Sequence, residues 1–360
     1  MTRPRVRESR SEGTGDSAAA VLAAYAPAAG LAPALAPWPR AGSMAERLAA
    51  SPFLMAPMAG VTDAAYRLMA RAGGAPLAYS EMVSVAGIHY GGEKTWDLVD
   101  PDPAEPDLAV QLFGSDPEHF REAAAGVAER LGERLALVDV NMACPVPKVT
   151  RNGAGSALLD DPARAAAIVG ALVRELDVPV TAKIRIGRVP DRIVGPEFAR
   201  ALEAAGVAAL AVHGRTASQM YRGSSDPAQV ARVVEAVEVP VIASGDALDA
   251  PRAAGVLRET GAAGCFVARG SYGNPWAFGD ARAALLGDAL APRPPQLRLA
   301  AFRLHVRLLE ATGAHLARAR SLAGWYLRGV PEAAAWRERA MHCAGAEDYL
   351  ALADEVEATL

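Results

Sequence analysis

Cysteine is scarce in this chain of 360 residues: there are three, at positions 144, 265 and 343, and no two stand in a CxxC spacing. That excludes a zinc ribbon, a thioredoxin-like redox pair and a disulfide-built scaffold, and it fits a reducing, cytoplasmic compartment. Aromatic residues are few, at 6%, yet 51% of the residues are apolar and 22% charged. The core is therefore aliphatic, and the chain as a whole is not intrinsically disordered. An excess of one charge is also missing, since the formal net charge of −4 leaves no global footprint for a nucleic acid. The charge is uneven, however: residues 293 to 342 hold nine Arg and three Glu, a local +6 that leaves −10 on the rest.

A long apolar run fit to cross a membrane is absent as well. The one uncharged stretch, Ser17 to Pro39, is mostly alanine, and Pro27, Pro33, Pro37 and Pro39 would break a spanning helix. Glu8, Glu12 and Asp16 stand where a signal peptide carries only positive charge. Residues 1–44 therefore read as a disordered Ala/Pro-rich tail, dispensable for folding, with the in-frame Met44 as an alternative start.

From residue 45 the chain alternates short β-like apolar runs with longer helical segments. Eight strand candidates stand out: Phe53 to Ala56, Leu77 to Ser80, Leu108 to Leu112, Leu135 to Asn141, Val178 to Ile184, Ala208 to Val212, Val239 to Ala243 and Ala263 to Val267. Helical stretches such as Pro117 to Leu131 and Pro162 to Leu176 lie between them. Strict alternation of this kind predicts an α/β fold, a (β/α)8 TIM barrel over 45–290. A Pro-rich link at 292–295 then leads to a small all-helical domain over 291–360, which has no strand signal.

Polar residues recur where the predicted strands end: Pro57-Met58-Ala59, Glu81, Gln111, Asn141 with Cys144, Lys183 with Arg185, His213 with Arg215, Ser244-Gly245-Asp246 and Ala268-Arg269. Barrel enzymes build their sites from the carboxyl ends of their strands, so this set converges on one mouth. Gly245 lets backbone N–H groups approach an anion, and Arg269 adds a guanidinium fork after the last strand. That is the usual barrel position for a phosphate, so a phosphorylated cofactor is expected.

Longer motifs surround these residues: Ala56-Pro-Met-Ala-Gly-Val-Thr-Asp63, Gln111-Leu-Phe-Gly-Ser-Asp-Pro117, Asp139-Val-Asn-Met-Ala-Cys-Pro145 with Lys148, Lys183-Ile-Arg185, His213-Gly-Arg-Thr216 and Gly273-Asn-Pro-Trp276. From Pro52 to Pro275 the chain resembles the tRNA-dihydrouridine synthases, FMN barrels, and most of all their bacterial B-type branch. The resemblance implies FMN as cofactor, NADPH as reductant and tRNA as substrate, with no metal, no membrane and a monomeric enzyme. Cys144 matches the cysteine that protonates C5 of a uracil receiving hydride at C6; an ordinary thiol suits that task because it holds its proton at neutral pH. Lys183 is placed at the pyrimidine edge of the flavin, Gln111 on the same ring and His213 beside flavin and substrate. Pro57, Met58 and Ala59 supply backbone contacts along one edge, and Ser244, Gly245, Asp246, Ala268 and Arg269 hold the phosphate end. Asn141, Lys148, Arg185 and Arg215 are assigned to the flipped nucleotide, and the basic helical domain to the RNA backbone. Cys265, inside the last strand, reads as an inert buried residue.

The chain departs from the family pattern in three places. Arg320-Ser321-Leu322 replaces an Arg-Lys-His element, Ser244-Gly245-Asp246 an Asn-Gly-Asp, and Ser224-Ser225-Asp226-Pro227 a stretch with Ala-Asp-Trp. The first change predicts weaker tRNA affinity, restored by Ser321→Lys with Leu322→His. Two other readings stay open: an FMN-dependent barrel reductase acting on a small pyrimidine or other unsaturated ring, and a non-catalytic tRNA-binding protein. The choice between NADPH and NADH is not legible in the sequence.

Overall fold

The computed structural model describes residues 16–290 and 292–360. Ten strands form among them, in chain order β1 (Phe53–Met55), β2 (Val83–Ser84), β3 (Leu108–Phe113), β4 (Leu135–Met142), β5 (Val180–Arg185), β6 (Gly187–Val189), β7 (Arg192–Ile193), β8 (Ala209–His213), β9 (Val241–Ser244) and β10 (Gly264–Val267). Eight of them make one parallel sheet in the order β1-β10-β9-β8-β5-β4-β3-β2, and β6 and β7 form a separate antiparallel hairpin. The predicted second strand, Leu77 to Ser80, is the piece that closes the ring. Leu77 O accepts from Met55 N at 3.2 Å on one side, and Ala109 N donates to Ala78 O at 3.1 Å on the other. The (β/α)8 barrel is thus present. Its strands read as near-continuous apolar runs because helices cover the outer face and side chains fill the inner one.

Several helices outside the sheet start on the same local device. Asp116, Asp161 and Asp226 each cap a helix whose first residue is proline, at Pro117, Pro162 and Pro227. The carboxylate accepts from the free N–H groups of the first turn, and proline removes one donor that would have no partner there. Inside the barrel, Tyr79 and Phe266 meet edge to face at 5.0 Å, and Trp38, Met44 and Leu48 belong to the same buried cluster.

Four helices close the chain: Pro295–Ala311, Arg318–Tyr326, Ala333–His342 and Ala346–Glu357. They share one apolar core with the barrel helix Ala64–Ala72. The same core holds residues from the predicted tail, which corrects the expectation of disorder for residues 16–44. Ala18–Tyr25 is a helix, and Val21, Leu22, Ala26, Ala29 and Leu31 are buried against the C-terminal helices. Ala29 O accepts from Trp276 Nε1 at 2.9 Å, Ala36 O from Arg71 at 2.5 Å, and Trp38 N donates to Asp107. Alanine and proline failed to signal this because the arm contributes close backbone approach rather than large side chains. The first fifteen residues of that reading lie outside the described residues.

The C-terminal helices are also tied to the barrel by Arg318. Its guanidinium reaches from the helical domain to Asp63 at 2.9 Å, Glu81 at 2.8 Å and the carbonyl of Gly60. Among the described residues, no helix is long and apolar enough to cross a membrane, and no three His, Cys, Asp or Glu side chains are grouped to hold a metal.

Candidate active site

Strand register decides which side chains meet. Gln111 stands opposite Asp139, Asn141 opposite Lys183, Arg185 opposite His213, and His213 opposite Ser244. Their common level is the carboxyl end of the barrel, where a cavity of about 590 Å³ opens. Fourteen of the expected site residues line it: Pro57, Met58, Ala59, Gln111, Asn141, Cys144, Lys183, Arg185, His213, Ser244, Gly245, Asp246, Ala268 and Arg269.

The walls are held by a file of hydrogen bonds running from the barrel interior to the Cys144 loop. Asp139, fully buried, accepts from Thr181 Oγ1 and from Gln111 Nε2, each at 2.6 Å. Gln111 Oε1 accepts from Asn141 Nδ2 at 2.7 Å, and Asn141 Oδ1 takes the N–H groups of Ala143 and Cys144 at 3.1 and 2.9 Å. Burial pushes the Asp139 carboxyl up to about 6, against the pull of Gln111, Thr181 and Lys183. Asn141 is therefore a loop-positioning residue as well as a lining one.

Arg185 completes the clamp. Its Nε donates to Ala143 O at 2.8 Å and its Nη1 to Thr216 O at 2.9 Å and Met220 O at 3.2 Å. From the other side, Ser156 N donates to Cys144 O at 3.0 Å. A side chain on Gly155, whose φ is +59°, would come within 2.7 Å of that same oxygen. Cys144 thus presents a free, partly exposed thiol on a backbone fixed from three directions. Cys265 is fully buried, as expected, and burial pushes its thiol up to about 12. Lys183 is pushed down to about 8, by burial first and then by Arg185. His213 is held well below its ordinary value by burial and by the surrounding cations, and its Nε2 has no hydrogen-bond partner among the described residues.

At the strand-end turns, Gly245 has φ +119°, and a Cβ there would meet Ser225 Oγ at 2.5 Å and His213 Cδ2 at 3.0 Å, so only glycine fits. The Asp246 carboxylate is occupied by protein donors. It binds both terminal nitrogens of Arg215 at 2.8 Å, takes the Ser225 N–H at 2.8 Å and meets Arg269 at 3.1 Å. The N–H groups of Gly245, Asp246 and Ala247 donate to no backbone carbonyl among the described residues.

Two residues expected at the nucleotide lie off the cavity lining. Arg215 is buried, and its remaining donors go to the carbonyls of Arg222 and Gly223, so it anchors Asp246 and does not line the cavity. Lys148 is exposed on the short helix Pro147–Thr150, outside the lining. Tyr221 and Tyr272 line the mouth unforeseen: neither lies at a strand end. Tyr221 lies beneath the Arg269 guanidinium at 5.3 Å, and Tyr272 stacks on Trp325 of the helical domain at 4.1 Å.

Comparison with known proteins gives this mouth a family. The dihydrouridine synthase model matches residues 54–359. The chain belongs to the dihydrouridine synthase family. It is 40% identical over 308 residues to the tRNA-dihydrouridine synthase B of Xanthomonas campestris pv. campestris, covering 83% of this chain and 90% of that one. It is 38% identical over 291 residues to the enzyme of the same name from Pseudomonas aeruginosa, covering 79% and 86%. With a probable tRNA-dihydrouridine synthase of Synechocystis it shares 36% identity over 310 residues, covering 85% and 86%.

The dihydrouridine synthase match takes in the helical domain, where the charge pattern differs from the expected basic face. Arg303 pairs with Asp354 and Glu357, both at 2.7 Å, and Arg339 with Glu355 at 2.8 Å. Arg307 lies over the Tyr25 ring at 4.5 Å. Leu322 is buried in the domain core, whereas Ser321 is exposed.

Proposed function

We propose that this dihydrouridine synthase saturates the C5–C6 bond of uridine in tRNA, with FMN seated in the barrel mouth and recharged by NADPH. The observation that carries the reading is the meeting of Cys144, Lys183 and an unpartnered His213 Nε2 on one 590 Å³ cavity whose phosphate-side turn offers free N–H groups. The names of the relatives point the same way. The residues present fit FMN: the Gly245 turn and Arg269 suit its phosphate, Lys183 and Gln111 its pyrimidine edge, and the Ala56–Ala59 backbone its flank.

FMN held there by the Gly245 turn, Arg269, Lys183 and Gln111 would supply the hydride chemistry, from NADPH to C6 of the uracil. Lys183, short of counter-charge in the mouth, stabilises negative charge arriving beside it. Cys144 delivers its proton to C5, and the Asn141 and Arg185 clamps hold its backbone in place for that transfer. His213, neutral at pH 7, offers a ring nitrogen to whatever fills the mouth. The setting proposed is the cytoplasm, where one chain supplies the whole site.

Dihydrouridine measured by mass spectrometry in tRNA incubated with protein, FMN and NADPH tests the reading, together with its loss from host tRNA on gene deletion. A second reading, reduction of a small free pyrimidine, is favoured by the neutralised arginines of the helical domain. Turnover of free uracil or uridine as fast as tRNA would select it.

A further inference from the structure

A second cavity, of about 540 Å³, lies on the far side of the Cys144 loop and shares Pro145 and Met220 with the mouth. Its walls are the Gly155–Asp160 turn, the β6–β7 hairpin and the loop after β8, pinned together by Ala217 N to Gly187 O and Ser218 N to Arg188 O, each at 2.9 Å. Two guanidiniums converge here on a single carboxylate: Arg188 meets Asp160 at 2.6 Å and Arg192 meets it at 3.5 Å. Both remain open to solvent, with side chains 42% and 67% exposed. Ser156, 1% exposed, also lines the cavity, and its hydroxyl has no partner among the described residues. The reaction at Cys144 and Lys183 uses none of these groups.

We propose that this cavity seats the phosphate-bearing adenosine end of the reductant and makes the enzyme select NADPH over NADH. The inference rests on the reading that a nicotinamide dinucleotide recharges the flavin. Such a molecule, with its nicotinamide in the mouth, extends beyond it, and Pro145 and Met220, which line both cavities, put this one beside the rim. A 2′-phosphate monoester approaches a double negative charge, and two planar guanidiniums are the side chains that match it. Asp160 leaves them one positive charge in excess, within a barrel whose sequence is otherwise acidic. Two cations beside a buried, unpartnered hydroxyl suit a terminal monoester better than the long, singly charged diester chain of RNA, which is gripped along an extended row of cations.

Calorimetric titration with 2′,5′-ADP and with 5′-AMP reads the cavity directly. The wild type should bind 2′,5′-ADP at least tenfold tighter, and Arg188→Ala with Arg192→Ala should erase about tenfold of that difference. Asp160→Asn should strengthen 2′,5′-ADP binding, a gain that a merely structural role for Asp160 does not produce. In NADPH and NADH oxidation by flavin and oxygen, the double variant should lower the ratio of kcat/KM for NADPH to that for NADH by about tenfold. Equal binding of the two nucleotides by the wild type, or an unmoved ratio in the variant, overturns the proposal. So does a tenfold rise in the tRNA concentration needed by the dithionite-reduced double variant in single turnover, which would give the cavity to an RNA nucleotide. Failure of the wild type to make dihydrouridine would count against the proposed function alone, because the titration needs neither tRNA nor turnover.

Discussion

Lys183 is held where burial and Arg185 work against its charge, so it costs the flavin-free protein stability while serving the site. Its pKa falls from 10.5 unfolded to about 8 folded. The penalty is therefore complete below pH 8 and is relieved as pH rises from 8 to 10.5. Lys183→Met should melt higher than the wild type at pH 7 without flavin, with the advantage shrinking across that window, and should lose activity; thermal melts from pH 6 to 11 check it. Cys144→Ala should still accept hydride from NADPH, since the thiol acts only after that step, but dihydrouridine formation should fall by about 10²-fold or more. Oxygen-coupled NADPH oxidation and nucleoside mass spectrometry separate the two steps. Much of the cavity lining was legible because a strand end is a fixed address: Gln111, Lys183, His213 and Arg269 line the cavity where their sequence positions placed them. What stayed hidden was the direction of a long side chain. Arg215 and Lys148 have the right type and spacing, but one turns inward to Asp246 and the other outward to solvent.

Among whole elements, the arm over 18–38 is the largest departure from what composition predicted. Ala26 and Ala29 are completely buried, and Trp38 is buried among the same residues as the inward-facing barrel side chains. Removing residues 1–43 should expose the Trp276 indole N–H and the Arg71–Asp107 pair. It should also lower the melting temperature by about 5 °C or more, because several apolar side chains of the arm would no longer be buried. Calorimetry of the truncated chain beside the full one is the measurement; equal melting would show that the arm merely rests on the surface. Such an element escapes hydropathy reading because many small methyl groups in close contact produce no periodic signal. The β6–β7 hairpin escaped for a different reason, having too few residues to show a period of two. Packing also revises one expected gain. Leu322 is part of the helical core, so Leu322→His would bury an imidazole there and destabilise the domain, and it would not restore a contact to RNA.

For the molecule as a whole, the basic segment stands isolated only as far as residue 342. The last helix brings Asp354, Glu355 and Glu357 back onto Arg303 and Arg339. The arginines left exposed and without an ion pair among the described residues are Arg320, Arg328 and Arg337. Reversing those three to Glu should weaken tRNA binding and reduce the slope of log K against log salt by about 0.7–0.9 for each phosphate that is no longer neutralised. NADPH oxidation should not change, because none of the three arginines lines the cavity. Binding titrations at several salt concentrations check both. Arg318 does something else with its charge. It stands between Asp63 and Glu81 while holding the Gly60 carbonyl, and Glu81 in turn accepts from Gly60 N at 2.6 Å. The helical domain is consequently not an exchangeable module: a chimera that grafts onto this barrel a relative's helices lacking a cation at that place would leave two carboxylates facing each other beside the loop that begins the active site.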